Sequence, residues 1–227
     1  MATLSARSAH MTVSPIRQVM DLAESLEGVI RLEVGEPDFS TPEPIVHAAQ
    51  RALDEGWTKY TATAGIGPLR QAIARYESPK VGRELVGSRE ICVAIGGTNA
   101  LYLTFLGLLN PGDEVLVPDP GWPQYQNIIR LIGGVPVPYV LDAANEFQVD
   151  RDSVVAGLSP RTKAILINSP ANPTGSVLGT DDLSFFAQLA QERDLWIVSD
   201  EVYDRIIFDG LTHHSIAALS GMAERTV

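Results

Sequence analysis

Cysteine is almost absent. Cys92 is the only one in 227 residues, which excludes an intrachain disulfide and any metal cluster built on cysteines. Basic residues are sparse too. Seventeen Lys and Arg against 28 Asp and Glu leave a formal net charge of -11. No block of Lys or Arg stands out, so neither nucleic acid nor an acidic membrane surface is an expected partner, since both want a basic face. No window approaches the roughly 18 consecutive apolar residues of a membrane span. The opening M-A-T-L-S-A-R-S-A-H has no long apolar region after its basic residue, and a cytoplasmic location is the expectation. His213 and His214 are adjacent, and His10 and His47 are isolated. None shows metal-ligand spacing, so no metal is expected. There is no G-x-S-x-G and no G-K-[ST] phosphate loop, and G-I-G-P-L-R at Gly65–Arg70 lacks the third glycine of a dinucleotide fingerprint.

What is present is an α/β rhythm. The apolar runs I-C-V-A-I (91–95), E-V-L-V-P (114–118), V-P-V-P-Y-V (135–140), K-A-I-L-I (163–167) and L-W-I-V-S (195–199) alternate with helical patterns. Short apolar runs spaced this way read as parallel strands. In the first run, Cys92 reads as a buried thiol. Prolines in the 135–140 run place that strand near an edge. Residues 100–109 are apolar nearly all round and predict a buried helix. Residues 123–132, 141–159 and 181–194 predict further helices. Ahead of the rhythm, S-P-I-R at Ser14–Arg17 opens a helix with a cap followed by proline, and further helices are expected over 43–56 and from Pro68 to Tyr76. V-G-E-P-D-F-S-T-P is a rigid loop in which Gly35 permits close backbone approach to a ligand. Solvation explains its acidic residues Glu33, Glu36 and Asp38. E-R-T-V at the end reads as the start of another strand, so a truncated or split chain is expected.

Polar groups at the carboxyl ends of parallel strands are the default place for a ligand. Asn172 in N-S-P-A-N-P-T-G and Asp200 and Tyr203 in S-D-E-V-Y occupy such places and are expected to meet on one bound molecule. An aspartate there holds a proton on a heterocyclic nitrogen through a charge-assisted hydrogen bond, while Asn172 and Tyr203 donate to a ring oxygen. Each of the three also has an ordinary use as a turn cap. G-G-T-N-A (Gly96–Ala100) feeds a helix start, either as a phosphate site built from free N–H groups or as a plain helix cap. Trp122, between prolines in P-G-W-P-Q-Y, is either a core residue or a face for a flat ring.

Taken together, V-G-E-P-D-F-S-T-P, T-K-Y-T-A-T-A-G-I-G-P-L-R, G-G-T-N-A-L, P-D-P-G-W-P-Q-Y, N-S-P-A-N-P-T-G and S-D-E-V-Y resemble the class I/II aminotransferases, fold type I enzymes that use pyridoxal 5'-phosphate. The resemblance implies a three-layer α/β/α large domain with a mostly parallel sheet, incomplete at its C-terminal end. It assigns residues 1–42 to an N-terminal arm and helix contributing to the small domain and an active-site loop, and 43–227 to the cofactor-binding large domain. It implies that Asp200 pairs with the pyridine nitrogen and that Tyr203 and Asn172 bond the phenolic oxygen. Trp122 would stack on the ring, Gly97, Thr98 and Asn99 would hold the phosphate, and Tyr60 would reach the phosphate of a neighbouring subunit's cofactor in a homodimer. Gly35, with Trp122 and Asn172, would contact the substrate. Two positions depart from the pattern: Ala171 where relatives usually carry asparagine, and Asn99 where they often have lysine or glutamine.

The implied activity moves an amino group from an L-amino acid to a 2-oxo acid through a Schiff-base lysine. The three lysines here, Lys59, Lys80 and Lys163, lack the family's context for it, so this chain by itself is expected to be inactive. Two alternatives stay open: a carbon–sulfur lyase on the same fold, and a non-catalytic fragment or pseudoenzyme half that needs a partner chain.

Overall fold

The computed structural model describes residues 3, 5, 15–33 and 35–227. The described residues form two compact units, one within Val13–Ile66 and the other made of Gly67–Val227 with residues 3 and 5. The division between them falls later in the chain than residue 42.

The first unit holds α1 (Pro15–Glu24) and α2 (Glu43–Asp54). Pro44 sits in the first turn of α2, where its missing N–H costs nothing. The cap expected at Ser14 lies outside the described residues.

The second unit opens with α3 (Gly67–Glu77), the short α4 (Gly87–Glu90) and α5 (Gly96–Leu108). Then follow β1 (Glu114–Asp119), α6 (Gln124–Leu131), β2 (Val135–Asp142), β3 (Gln148–Val149), α7 (Arg151–Ala156), β4 (Thr162–Asn168), α8 (Thr180–Arg193) and β5 (Trp196–Asp200). The sheet order is β3-β2-β1-β4-β5. All pairings are parallel except β2 with β3. β3 covers only Leu141 and Asp142 of β2, which leaves the proline-bearing part of β2 at the edge, where a missing donor is tolerated.

Alternation along the strands builds two core layers, as a sheet covered on both faces requires. Val115, Val117, Ala164, Leu166 and Val198 pack with Leu101 and Phe105 of α5 and Ile128 and Ile129 of α6. Leu116, Ile165, Ile167 and Ile197 face the other way, toward Leu183, Phe186 and Ala190 of α8. The parallel sheet brings the carboxyl ends of β1, β4 and β5 to one edge, with Asn168 directly beside Asp200.

Three expectations are corrected. Residues 91–94 form no strand. Apolar alternation is not enough for a strand; a ladder partner is needed, and among the described residues this segment pairs with none. Cys92 is accordingly exposed rather than buried. The single helix expected over 141–159 is instead a 3-10 turn (Ala143–Asn145), strand β3 and the short helix α7. Glu146 and Phe147 break it with positive φ of 52° and 58°, while Asp142 and Asp150 spend their carboxylates capping the two short turns.

E-R-T-V does start a strand-like contact. Ile197 bridges Thr226 in parallel, and the Ser199 N–H donates to the Val227 carbonyl at 2.9 Å. Among the described residues no helix is long and apolar enough to cross a membrane.

Candidate active site

A cavity of about 250 Å3 lies at the carboxyl edge of the sheet, in the second unit. It draws on four separate elements. Asn168 and Asn172 come from the end of β4 and the loop after it. Asp200 and Tyr203 come from β5 and its continuation. Trp122 and Tyr125 come from the turn after β1 and the start of α6, and Gly97 and Thr98 from the start of α5.

The loop after β4 is held by one buried side chain. Asn168 donates from Nδ2 to the Pro170 carbonyl at 3.2 Å and to the Asp200 carbonyl at 3.1 Å. Its Oδ1 accepts the Asn172 N–H at 2.7 Å. Asn168 therefore ties Asn172 to the end of β5, two places separated by a helix in sequence. A buried amide with its hydrogen bonds made fixes geometry, because breaking any of them leaves a desolvated group unpaired.

Asp200 is half-buried. Its Oδ2 accepts the Tyr125 hydroxyl at 2.7 Å, and its Oδ1 accepts the Val202 N–H at 3.3 Å. Burial, then the neighbouring Asp200 charge and the hydrogen bond to it, push the Tyr125 phenol far above its ordinary range. The Tyr125 hydroxyl therefore remains a donor at every working pH. Trp122 stands edge-on to Tyr125, ring centres 5.4 Å apart at 82°, a favoured aromatic arrangement.

Gly121 sets the turn that presents Trp122. A Cβ at this position would meet the Pro118 carbonyl oxygen at 2.5 Å, and a backbone atom cannot swing aside. Gly121→Ala is expected to cost about 1–3 kcal/mol by overpacking, read as a lower urea midpoint. An unchanged midpoint would show that the turn relaxes freely.

At the start of α5, Gly96 has a φ of 79°, which glycine adopts without strain. No side chain caps the first N–H groups of this helix, so they and the helix dipole suit an anion. A Cβ added to Gly97 would meet nothing within 4 Å, so the space over this turn is open. Asn99 is not part of the cavity lining. Its Oδ1 accepts the Ile95 N–H at 3.2 Å.

Tyr60 and Gly35 belong to the other unit. Tyr60 is fully exposed, and Gly35 lies in a loop. No lysine lines the cavity. Lys80 is held between Glu77 at 3.0 Å and Asp204 at 2.6 Å. Lys163 sits near the start of β4, at the end away from Asn168. Lys59 is in the first unit. Sequence reasoning missed Tyr125 and Asn168. Asn168 had a signal, its place as the last residue of a strand. Tyr125 had one as well, its place as the last residue of P-D-P-G-W-P-Q-Y.

Behind the site, Glu201 accepts from Ser199 Oγ at 2.7 Å, Ser215 Oγ at 2.9 Å and pairs with His213 Nε2 at 3.0 Å. Burial alone would raise its carboxyl, but the bonds from His213, Ser199 and Ser215 outweigh that and hold it below the ordinary value of 4.5. A lowered folded value means the stabilisation is complete above about pH 4.5 and is lost as pH falls through the folded value. Glu201→Gln is expected to lower the urea midpoint at pH 7 and to flatten its fall as pH drops below about 4.5. Parallel midpoint-against-pH curves for the two proteins would contradict this.

These residues fit a small planar cofactor that carries a ring nitrogen, a ring oxygen and a phosphate. The cavity offers an anchored carboxylate, a hydroxyl and an amide, an indole face and an uncapped helix start.

Comparison with known proteins gives the family. The family described as aminotransferase class I and II matches residues 27–226. The chain is 40% identical over 224 residues to an aromatic-amino-acid aminotransferase of Thermococcus litoralis. It is 41% identical over 224 residues to an aspartate aminotransferase of Pyrococcus abyssi. In both cases the match covers 99% of this chain and 58% of the relative. Among solved structures, the Thermus thermophilus aspartate aminotransferase with maleate superposes with a TM-score of 0.92 at 38% identity, covering 100% of this chain and 59% of that one. The chain thus spans less than two thirds of the length of these relatives.

Proposed function

Because this chain belongs to the class I and II aminotransferase family, we propose that it forms the greater part of the cofactor-binding domain of an enzyme that moves an amino group from an L-amino acid to a 2-oxo acid, using pyridoxal 5'-phosphate. The observation that carries the proposal is the meeting of Asp200, Tyr203, Asn172, Trp122 and the start of α5 around one cavity. The relatives named above are aminotransferases, and no observation favours the carbon–sulfur lyase reading.

When bound, the cofactor supplies an electron sink for charge developing at the substrate's Cα. The residues do the rest. Asp200, held by Tyr125 and the Val202 N–H, keeps a proton on the ring nitrogen and so deepens that sink. Asn172 and Tyr203 hydrogen-bond the ring oxygen. Trp122 covers one face and excludes water. The N–H groups of Gly97 and Thr98 receive the phosphate at the helix start. Gly35 is assigned to the substrate carboxylate, and Trp122 and Asn172 of the cavity to the substrate.

The first unit supports a homodimer. α2 has no buried residue, and Ile30, Leu32, Phe39, Leu53 and Trp57 are exposed. An apolar surface of this kind marks an interface. Tyr60 is then the residue offered to a neighbour's cofactor. Sedimentation of the chain across a concentration series tests this; a species that stays monomeric throughout opposes it.

Pyridoxamine 5'-phosphate tests the cofactor site directly, since it binds without a Schiff base. Calorimetry is expected to show one molecule bound per chain, displaced by pyridoxal 5'-phosphate. A folded chain that binds neither would refute the proposal. Pyridoxal 5'-phosphate with borohydride, followed by peptide mapping, is expected to leave no stoichiometric adduct on Lys59, Lys80 or Lys163. An adduct on one of them would move the reacting centre to that lysine.

A further inference from the structure

Tyr125 touches two of the groups assigned to the cofactor, from one position on α6. Its side chain is buried, 2% exposed, so its direction is set by packing. The ring abuts Trp122 edge-on, and the hydroxyl reaches across to Asp200 Oδ2 at 2.7 Å. These partners come from different elements. Trp122 lies in the turn after β1, and Asp200 ends β5, with β4 between the two strands. Tyr125 is therefore a cross-brace over the carboxyl edge of the sheet.

We propose that Tyr125 is a positioning residue that fixes the Asp200 carboxylate for a ring nitrogen bound in the cavity, while its ring backs the Trp122 face. This inference rests on the cofactor reading above. The physical basis is orientation. A carboxylate at a strand end rotates about its side-chain bonds. Its other contact is the Val202 N–H at 3.3 Å, longer than a strong hydrogen bond to a carboxylate. The 2.7 Å bond from Tyr125 is of the strong, charge-assisted kind. It removes that freedom before a ligand arrives, so the ordering cost is not met on binding.

The two contacts of Tyr125 separate by mutation. Tyr125→Phe keeps the ring against Trp122 and deletes only the hydroxyl. Fluorescence titration with pyridoxamine 5'-phosphate is the measurement, on the full chain, with thermal melting of each variant as the check on folding. Tyr125→Phe is expected to weaken binding by about 5- to 10-fold, less than the full worth of its bond to Asp200 because Tyr125 acts on the ligand only through that carboxylate. The deciding comparison is a double-mutant cycle with Asp200→Asn. If Tyr125 acts through the Asp200 carboxylate, then adding Tyr125→Phe to Asp200→Asn is expected to change affinity by less than about twofold.

Two results overturn the inference while leaving the cofactor site standing. One is Tyr125→Phe binding as tightly as the wild type. The other is an equal loss from Tyr125→Phe with and without Asp200→Asn, which assigns Tyr125 a packing role only. A wild-type chain that does not bind pyridoxamine 5'-phosphate fails differently: it removes the cofactor reading and this inference with it.

Discussion

Asp200→Asn is expected to weaken pyridoxamine 5'-phosphate binding by about 10- to 100-fold, the worth of a hydrogen bond to a charged group, roughly 1.5–3 kcal/mol. The carboxylate is the acidic group in the lining of the cavity, and it is anchored on both oxygens before any ligand arrives. Asparagine nearly preserves the shape and removes the charge. It also puts either an amide NH2 or a carbonyl toward the ring nitrogen, neither of which stabilises a proton there as a carboxylate does. The measurement is the titration used for Tyr125, with circular dichroism to confirm that the fold is retained. The phosphate and ring contacts persist, so residual binding is expected. Affinity within about twofold of the wild type would mean that the ring nitrogen lies elsewhere, and the assignment of the whole cavity would go with it.

Phe186→Ala is expected to cost about 3–5 kcal/mol in unfolding free energy. Phe186 is fully buried on the sheet-facing side of α8. It lies against Tyr139, ring centres 5.8 Å apart, and against Phe185 at 5.5 Å. It belongs to the same core layer as Ile165 and Ile167 of β4 and Ile197 of β5, the strands that carry Asn168 and Asp200 to the site. Truncation removes the apolar contact and leaves a cavity that close-packed neighbours fill only in part. Domain stability is typically about 5–15 kcal/mol, so the loss is a large fraction of the whole. Urea unfolding followed by circular dichroism reads it as a shifted midpoint. A cost under about 1 kcal/mol would show that the layer under α8 collapses to refill the space.

Glu201 and Gly121 support the same edge of the sheet from outside the cavity. Glu201 follows Asp200 directly and ties the chain after β5 to Ser215 and His213. Gly121 permits the tight turn that offers Trp122. Their substitutions are expected to act on stability first and on ligand binding second.

The sequence by itself determined the α/β architecture and which strand-end residues line the cavity. Apolar runs ending in Asn or Asp are local facts. A parallel sheet covered on both faces follows from them, because only burial satisfies such runs. That sheet necessarily gathers the strand ends, which is why Trp122, Asn172, Asp200 and Tyr203 line one cavity. Tertiary structure decided what depends on distant partners. I-C-V-A-I has the composition of a strand, yet residues 91–94 make no ladder, and Cys92 is exposed, since a strand exists only through its neighbour's hydrogen bonds. Asn99 accepts the Ile95 N–H on its Oδ1, a contact set by how the chain enters α5. Tyr125 and Asp200 are 75 residues apart in the chain. No periodicity or motif links them. Only the order β1-β4-β5 and the seat of α6 bring hydroxyl and carboxylate to 2.7 Å, because a hydrogen bond depends on atomic position, and position at that range is set by packing of the whole domain.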